Sequence, residues 1–232
     1  MTGITIITPT GGRPEAFALC EFWMRRQTWA GERQWIVVDD SAPETACTMR
    51  QEIVRPRPIW QPGENTQARN LLAAFPLIRN GKIVIVEDDD WYAPAYLEIM
   101  ASRLDAAPLV GERNARYYNV ATRQYMTCPN VKHSSLCQSA FRIEAIPKLT
   151  SICESAKKFL DIELFKMCPD QRLYENSGTC IGIKGMPGRK GIGSGHRSGA
   201  HAGWKPDPNL SMLQSWVGDD ADAYRGYGER PC

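Results

Sequence analysis

The chain has 232 residues, 43% of them hydrophobic and 23% charged, with a formal net charge of +2. That balance excludes a largely disordered chain, and the near-neutral charge carries no electrostatic signature of nucleic-acid binding. No stretch approaches the ~18 apolar residues of a membrane span, and MTGITIITPTGG is not a secretory leader, so a cytoplasmic protein without a transmembrane segment is expected. The cysteines at 20, 47, 128, 137, 153, 168, 180 and 232 form no CxxC pair and read as reduced thiols.

Ile4 to Thr8 is a β-branched run closed by Pro9-Thr10-Gly11-Gly12, which predicts a buried strand and a turn. Pro14 suits the first turn of a helix, and Phe17, Leu19, Cys20, Trp23 and Met24 follow at helical spacing. Trp35 to Val38 predicts a second strand, ending in Asp39-Asp40-Ser41. A helix is expected over 44–53, after which Pro56, Pro58 and Pro62 break regular structure. Asn65 or Thr66 caps a helix through about Phe75, and Gly81 precedes a third strand, Lys82 to Val86. That strand runs into Glu87-Asp88-Asp89-Asp90, then Trp91 to Pro94 and a helix to about Leu104. Strands alternating with helices predict an α/β fold with a mostly parallel, Rossmann-like sheet flanked by helices.

The second half is less regular. Strand candidates lie at 115–126 and 136–143, and 150–167 reads as one helix with an apolar stripe of Ile152, Ala156, Phe159, Ile162 and Phe165. From Asn176 to Pro206 there is no acidic residue, while Lys184, Arg189, Lys190, Arg197 and Lys205 are basic and nine glycines fall between Gly178 and Gly203. A glycine-rich, basic, mobile loop is expected at 176–206. The acidic tail 207–232 is expected to wrap the domain or trail from it.

Four consecutive carboxylates ending a strand repel one another unless a cation sits among them. Hard oxygen ligands of this kind suit Mg²⁺ or Mn²⁺. In an open parallel sheet the ligand crevice lies beyond the carboxyl ends of the strands, where Thr8 to Gly11, Asp39-Asp40 and Glu87 to Asp90 all arrive. Helix capping by acidic residues is the plainer alternative, which accounts for Asp39-Asp40 better than for the longer cluster. Arg189, Arg197 and glycine amides suit a diphosphate, and a neutral His196 or His201 suits a divalent metal's shell, unless both histidines lie idle in a solvated loop.

The segments ITIITPTGGRPEAFALCEFWMRRQTW, VVDDS, NTQARN and KIVIVEDDDWYAPAYLE together resemble the nucleotide-sugar glycosyltransferases of GT-A fold, in particular the inverting glycosyltransferase family 2. The resemblance covers residues 4–100 in order and spacing; beyond them QSAFR, from Gln138, and FLDIEL, from Phe159, resemble the acceptor side and the helix bearing the catalytic acid. It implies a catalytic domain over 1–175, with a nucleotide-sugar half at 1–104 and an acceptor half at 105–175, and a loop at 176–206 that closes the donor site. It also implies a nucleotide-sugar donor, a UDP-sugar being expected, and a Mn²⁺ or Mg²⁺ cofactor. Thr8, Pro9, Thr10, Arg13 and Asp39 or Asp40 would contact the nucleoside, with Arg69 a further donor contact. Glu87 and Asp88 would lie near the ribose and donor sugar, Arg189 and Arg197 at the diphosphate, and Asp89 and His196 on the metal. Asp161 would be the catalytic base, although Asp161 and Glu163 depart from the family's adjacent Glu-Asp pair and Glu87 stands where its acidic motif begins with Asp.

Two alternatives belong to other classes. A nucleotidyltransferase making sugar nucleotides also opens with a strand and a Gly-Arg-Pro turn, like Gly12-Arg13-Pro14, but needs a longer glycine-rich signature with a lysine soon after. A non-catalytic nucleotide-binding module would need no base. The acceptor is unspecified by the sequence; a hydroxymethylated base in DNA is one candidate, since Tyr117, Tyr118 and Trp204 offer rings for stacking.

Overall fold

Every residue of β1 (Ile4–Thr10) is buried, as a strand covered on both faces requires of its sequence. In this computed structural model, which describes residues 3–42, 53–54, 65–155, 158–191, 193–196 and 203–228, β1 lies inside a seven-stranded sheet. Its parallel neighbours are β2 (Arg33–Asp39) and β4 (Lys82–Ile85), and β3 (Ile53–Val54) extends the edge beyond β2. On the other side β9 (Ser139–Arg142) runs antiparallel between β4 and β6 (Leu109–Arg113), and β10 (Gln171–Glu175) closes that edge parallel to β6. Two buried hydroxyls of β1 are satisfied within the sheet. Thr5 Oγ1 donates to Gln34 Oε1 at 2.8 Å, and Trp35 Nε1 donates to Thr8 Oγ1 at 2.9 Å.

Helices cover both faces. On one face α1 (Pro14–Arg25) buries Ala16, Phe17, Cys20, Trp23 and Met24, beside α3 (Tyr96–Arg103). On the other lie α2 (Thr66–Ala74), α4 (Ile146–Glu154) and α5 (Leu160–Met167). The expected cap of α2 is Asn65, whose side-chain oxygen accepts from Ala68 N at 3.1 Å. Among the described residues no helix is long and apolar enough to cross a membrane.

A second sheet of five strands stands beside the first, in the order β12 (Lys205–Pro206), β8 (Gln124–Cys128), β7 (Ala115–Asn119), β11 (Cys180–Lys184) and β5 (Trp91–Tyr92). The strand candidate at 115–126 is therefore a hairpin of β7 and β8, which turns through Arg123 at φ 49°. The mobile loop expected at 176–206 does not hold for β11, all of whose residues are buried. Its glycine reflects close packing rather than freedom: a Cβ on Gly182 would lie 2.4 Å from the Tyr117 ring. The single helix expected at 150–167 is two. Phe159 is extended at φ −117°, ψ 97°, and the break lets Leu149 and Ile152 on one helix and Leu160, Leu164 and Phe165 on the next face the same core.

Residues 207–228 of the tail pack on the domain. Asp207 Oδ2 accepts from Met212 N at 3.0 Å and Leu213 N at 3.2 Å, which fixes the start of α6 (Ser211–Val217). A 3₁₀ run at Gly218–Tyr227 then buries Tyr224 against Trp23, ring centres 6.4 Å apart, while Asp220 accepts from Trp91 Nε1 at 2.9 Å. Cys20, Cys128, Cys137, Cys153, Cys168 and Cys180 are free thiols. The helix expected at 44–53, apart from Ile53, and the three prolines after it lie outside the described residues.

Candidate active site

The carboxyl ends of β1, β2 and β4 bring Thr10, Asp39-Asp40 and Glu87 to Asp90 to one edge of the main sheet. Thr10 Oγ1 donates to Asp88 Oδ2 at 2.6 Å. Arg13, at the start of α1, bridges two members of the cluster: its Nη2 is 2.5 Å from Asp88 Oδ1 and its Nη1 is 2.9 Å from Asp89 Oδ2. The turn between β1 and α1 needs its glycines. A Cβ on Gly11 would lie 1.8 Å from Asp40 Oδ1, and Gly12 adopts φ 64°. Asp40 is held by two cations, Arg69 on one oxygen and Arg189 Nη2 at 2.5 Å on the other. Asp39 accepts from Ser41 Oγ at 2.5 Å, and Ser41 Oγ accepts from Gly12 N at 2.8 Å.

Lys184, the last residue of β11, enters the acidic cluster from the second sheet. Its Nζ is 3.2 Å from Asp90 Oδ1, which also accepts from Ile183 N at 2.8 Å. Gln67 Nε2 donates to Glu87 Oε1 at 3.0 Å. Oxygens of Glu87, Asp89 and Asp90 lie within 4.8 Å of one another.

Burial and charge pull this cluster in opposite directions. Burial pushes Asp90 up to about 7 against the Lys184 ammonium, and Asp88 up to about 6 against the Arg13 guanidinium. Asp89 is also buried, but Lys184 and Arg13 hold it below the usual carboxylate range. Burial opposes the charge on Lys184, and the carboxylates of Asp89, Asp90 and Glu87 outweigh it and raise its pKa. Burial, with repulsion from Lys184, lowers His196 to about 4, so its imidazole is neutral at pH 7, with Nε2 3.8 Å from Asp89 Oδ2.

The cluster opens on a cavity of about 770 Å³. Of the residues expected in a donor and metal site, Pro9, Thr10, Arg13, Glu87, Asp89, Arg189 and His196 line it. Asp161 lines the same space from the first turn of α5, near His133, and burial raises its carboxyl above the usual range. Thr8, Asp39, Asp40, Arg69 and Asp88 are set behind the wall; Thr8 is fully buried with its hydroxyl taken by Trp35. Arg197 and His201 lie outside the described residues. Tyr117 and Trp204 line the cavity, whereas Tyr118 is fully buried and its hydroxyl donates to Asp207 O at 3.3 Å, so it offers no stacking face.

Sequence reasoning missed Lys184, Gln67, Asp90 as a partner of Lys184, and His133 as a lining residue. Lys184 had a signal: it ends CIGIK, an apolar run of strand length.

No family model matches the sequence, and no curated protein matches it. Solved structures do match. S. aureus TarS superposes with a TM-score of 0.58 at 12% identity, over 79% of this chain and 37% of that chain. TarS 1-349 in complex with UDP gives 0.55 at 14% identity, over 79% and 60%. The mannosyltransferase PcManGT from Pyrobaculum calidifontis, in complex with GDP-Man and Mn²⁺, gives 0.53 at 14% identity, over 79% and 57%. The chain thus spans less than two thirds of the length of each of these relatives. At such identities the likeness is one of architecture: this chain has a GT-A-like α/β fold, built on a mostly parallel sheet.

Proposed function

We propose that the chain is a metal-dependent glycosyltransferase that moves a sugar from a nucleoside diphosphate donor to an acceptor hydroxyl with inversion. One observation carries the reading. Four carboxylates meet two cations at the sheet edge, leaving two negative charges when all are ionised, and the cluster opens on a cavity that a further, half-buried carboxyl, Asp161, also lines.

The donor set fits a hard divalent ion. Glu87, Asp89 and Asp90 offer only oxygens, and Asp90 Oδ2 is buried with no hydrogen-bond partner among the described residues. Glu87, Asp89 and Asp90 would hold Mn²⁺ or Mg²⁺, with the neutral His196 beside Asp89 as a further ligand. When bound, the ion supplies positive charge against a diphosphate leaving group.

The chain's own residues do the rest. Pro9 and Thr10 line the end of the cavity where β1 stops and would receive the nucleoside; Asp39 and Asp40 shape that floor through Ser41, Arg69 and Arg189. Arg13, Lys184 and Arg189 direct cationic groups to the diphosphate, with Arg197 a further proposed contact. Asp161 would accept the proton of the acceptor hydroxyl, and its raised pKa suits a general base. The acceptor would meet Tyr117, His133 and Trp204, which also line the cavity. Those two rings suit a flat acceptor, and a hydroxymethylated base in DNA is proposed as one.

The test is a panel of UDP- and GDP-sugars with Mn²⁺, following slow donor hydrolysis in the wild-type chain and in Asp89→Asn. Turnover of one donor that disappears in the variant supports the reading. Hydrolysis of none, or equal rates in the variant, removes it.

A further inference from the structure

The four carboxylates of the acidic cluster are not held alike. Asp88 and Asp89 are paired with Arg13, and Asp90 with Lys184. Glu87 forms no ion pair among the described residues. The side chain that meets it is a neutral amide, Gln67, whose Nε2 donates to Glu87 Oε1 at 3.0 Å. Glu87 is also the longest of the four, one methylene beyond the aspartates that follow it. Its backbone is fixed, since Glu87 N donates to Tyr92 OH at 2.8 Å and Glu87 O accepts from Asp90 N at 3.4 Å. The freedom left lies in its side-chain torsions, and a carboxylate that keeps such freedom gives it up on binding an ion, at a cost in affinity.

Gln67 is placed to remove that freedom beforehand. It stands in the first turn of α2, which Asn65 caps by accepting from Ala68 N at 3.1 Å, and which Ala68, Leu71 and Ala74 seat in the same core as Ile7, Val38 and Ile85. The amide therefore projects from a firmly seated helix. Gln67 and Glu87 both line the cavity, so their bond lies at the wall of the site. An amide also orients without neutralising. A lysine or arginine in its place would cancel the charge that Glu87 brings to an ion, whereas Gln67 leaves it whole.

We propose that Gln67 is a positioning residue for the divalent ion: by holding Glu87 Oε1 it fixes the carboxylate and leaves the second oxygen for the ion. This role rests on the metal-dependent reading above and adds to it a residue that is not itself a ligand. Loss of an outer partner of this kind typically weakens metal binding by ~10–100-fold.

The test titrates Mn²⁺ into the full chain, stripped of metal with a chelator, and follows the free ion by its electron paramagnetic resonance signal. Gln67→Met keeps side-chain length and helix propensity but donates nothing, and should bind Mn²⁺ roughly 10–100-fold more weakly than wild type. Glu87→Asp draws the carboxylate out of contact with Gln67, so adding Gln67→Met to it should change affinity by less than about twofold. A purely structural effect on α2 would weaken both backgrounds alike. Affinity in Gln67→Met within about twofold of wild type, or an equal loss in the two backgrounds, overturns the role of Gln67 and leaves the metal site standing. A wild-type chain that binds no Mn²⁺ removes the metal site, and this role with it. Circular dichroism checks folding, and where Gln67→Met does not fold, Gln67→Ala is held to the same two criteria.

Discussion

Replacing Asp90 by Asn removes a carboxyl that burial pushes up to about 7, against the pull of Lys184, from an ordinary value of 3.8. Between those two values the folded chain holds a proton that the unfolded chain has released, so this group's contribution falls as pH rises through the interval. At ~1.36 kcal/mol per unit, a shift of about three units sets an upper value of about 4 kcal/mol. Asp90 titrates together with Lys184, Asp89 and Glu87, so roughly half of that, ~2 kcal/mol, is assigned to the Asp90 side chain alone. For a chain of this size ~2 kcal/mol corresponds to roughly 4–8 °C in melting temperature. The variant keeps the main structural contact, because an Asn Oδ1 still accepts from Ile183 N, 2.8 Å away. Melting curves in chelator at pH 5 and pH 8 are the assay. Only about two of the three units lie inside this window, so the wild-type chain should lose about 1 kcal/mol more stability between the two pH values than Asp90→Asn does. Parallel profiles, or a steeper fall in the variant, refute the electrostatic reasoning.

Gly182→Ala places a Cβ 2.4 Å from the Tyr117 ring and should destabilise by about 1–3 kcal/mol in urea unfolding; an unchanged midpoint would show that the strand has room to spare. Asp207→Ala removes the acceptor for Met212 N and Leu213 N, at 3.0 and 3.2 Å, with an expected loss of ~1 kcal/mol read by thermal melting. In Asp161→Asn, transfer to an acceptor should fall by roughly 10²–10⁴-fold while nucleotide affinity measured by calorimetry stays level; undiminished transfer would remove Asp161 from the chemistry.

The main sheet was legible because its central strands are buried on both faces, and that demands continuous apolar runs: Ile4 to Thr8, Trp35 to Val38 and Lys82 to Val86 announce themselves without a partner. Local chemistry was legible too, as with Pro14 opening α1 and Asn65 capping α2. The second sheet was obscured because its strands are short and drawn from distant parts of the chain, and two residues such as Trp91–Tyr92 carry no periodicity. In β11 glycine misled, since Gly182 serves the Tyr117 ring rather than flexibility. The break between α4 and α5 was hidden because one apolar stripe fits a straight helix as well as two that share a core. In the site, the carboxylates could be read as a cluster, but their counter-ions could not. Arg13 follows the acids' partner strand directly, whereas Lys184 reaches Asp90 across 94 positions of sequence. Tyr118 shows the converse limit, for only the fold reveals which of two adjacent tyrosines faces the cavity.

The central claim is that the carboxylates beyond β4 hold a divalent ion jointly with a nucleoside diphosphate. Calorimetric titration of UDP and of GDP into the chain, with Mn²⁺ and with chelator, tests it directly. Affinity for one nucleotide should rise when Mn²⁺ is present, and that gain should vanish in Asp89→Asn while the variant's melting curve shows an intact fold. Binding of equal strength with and without Mn²⁺, or a Mn²⁺-dependent gain that survives in Asp89→Asn, contradicts it.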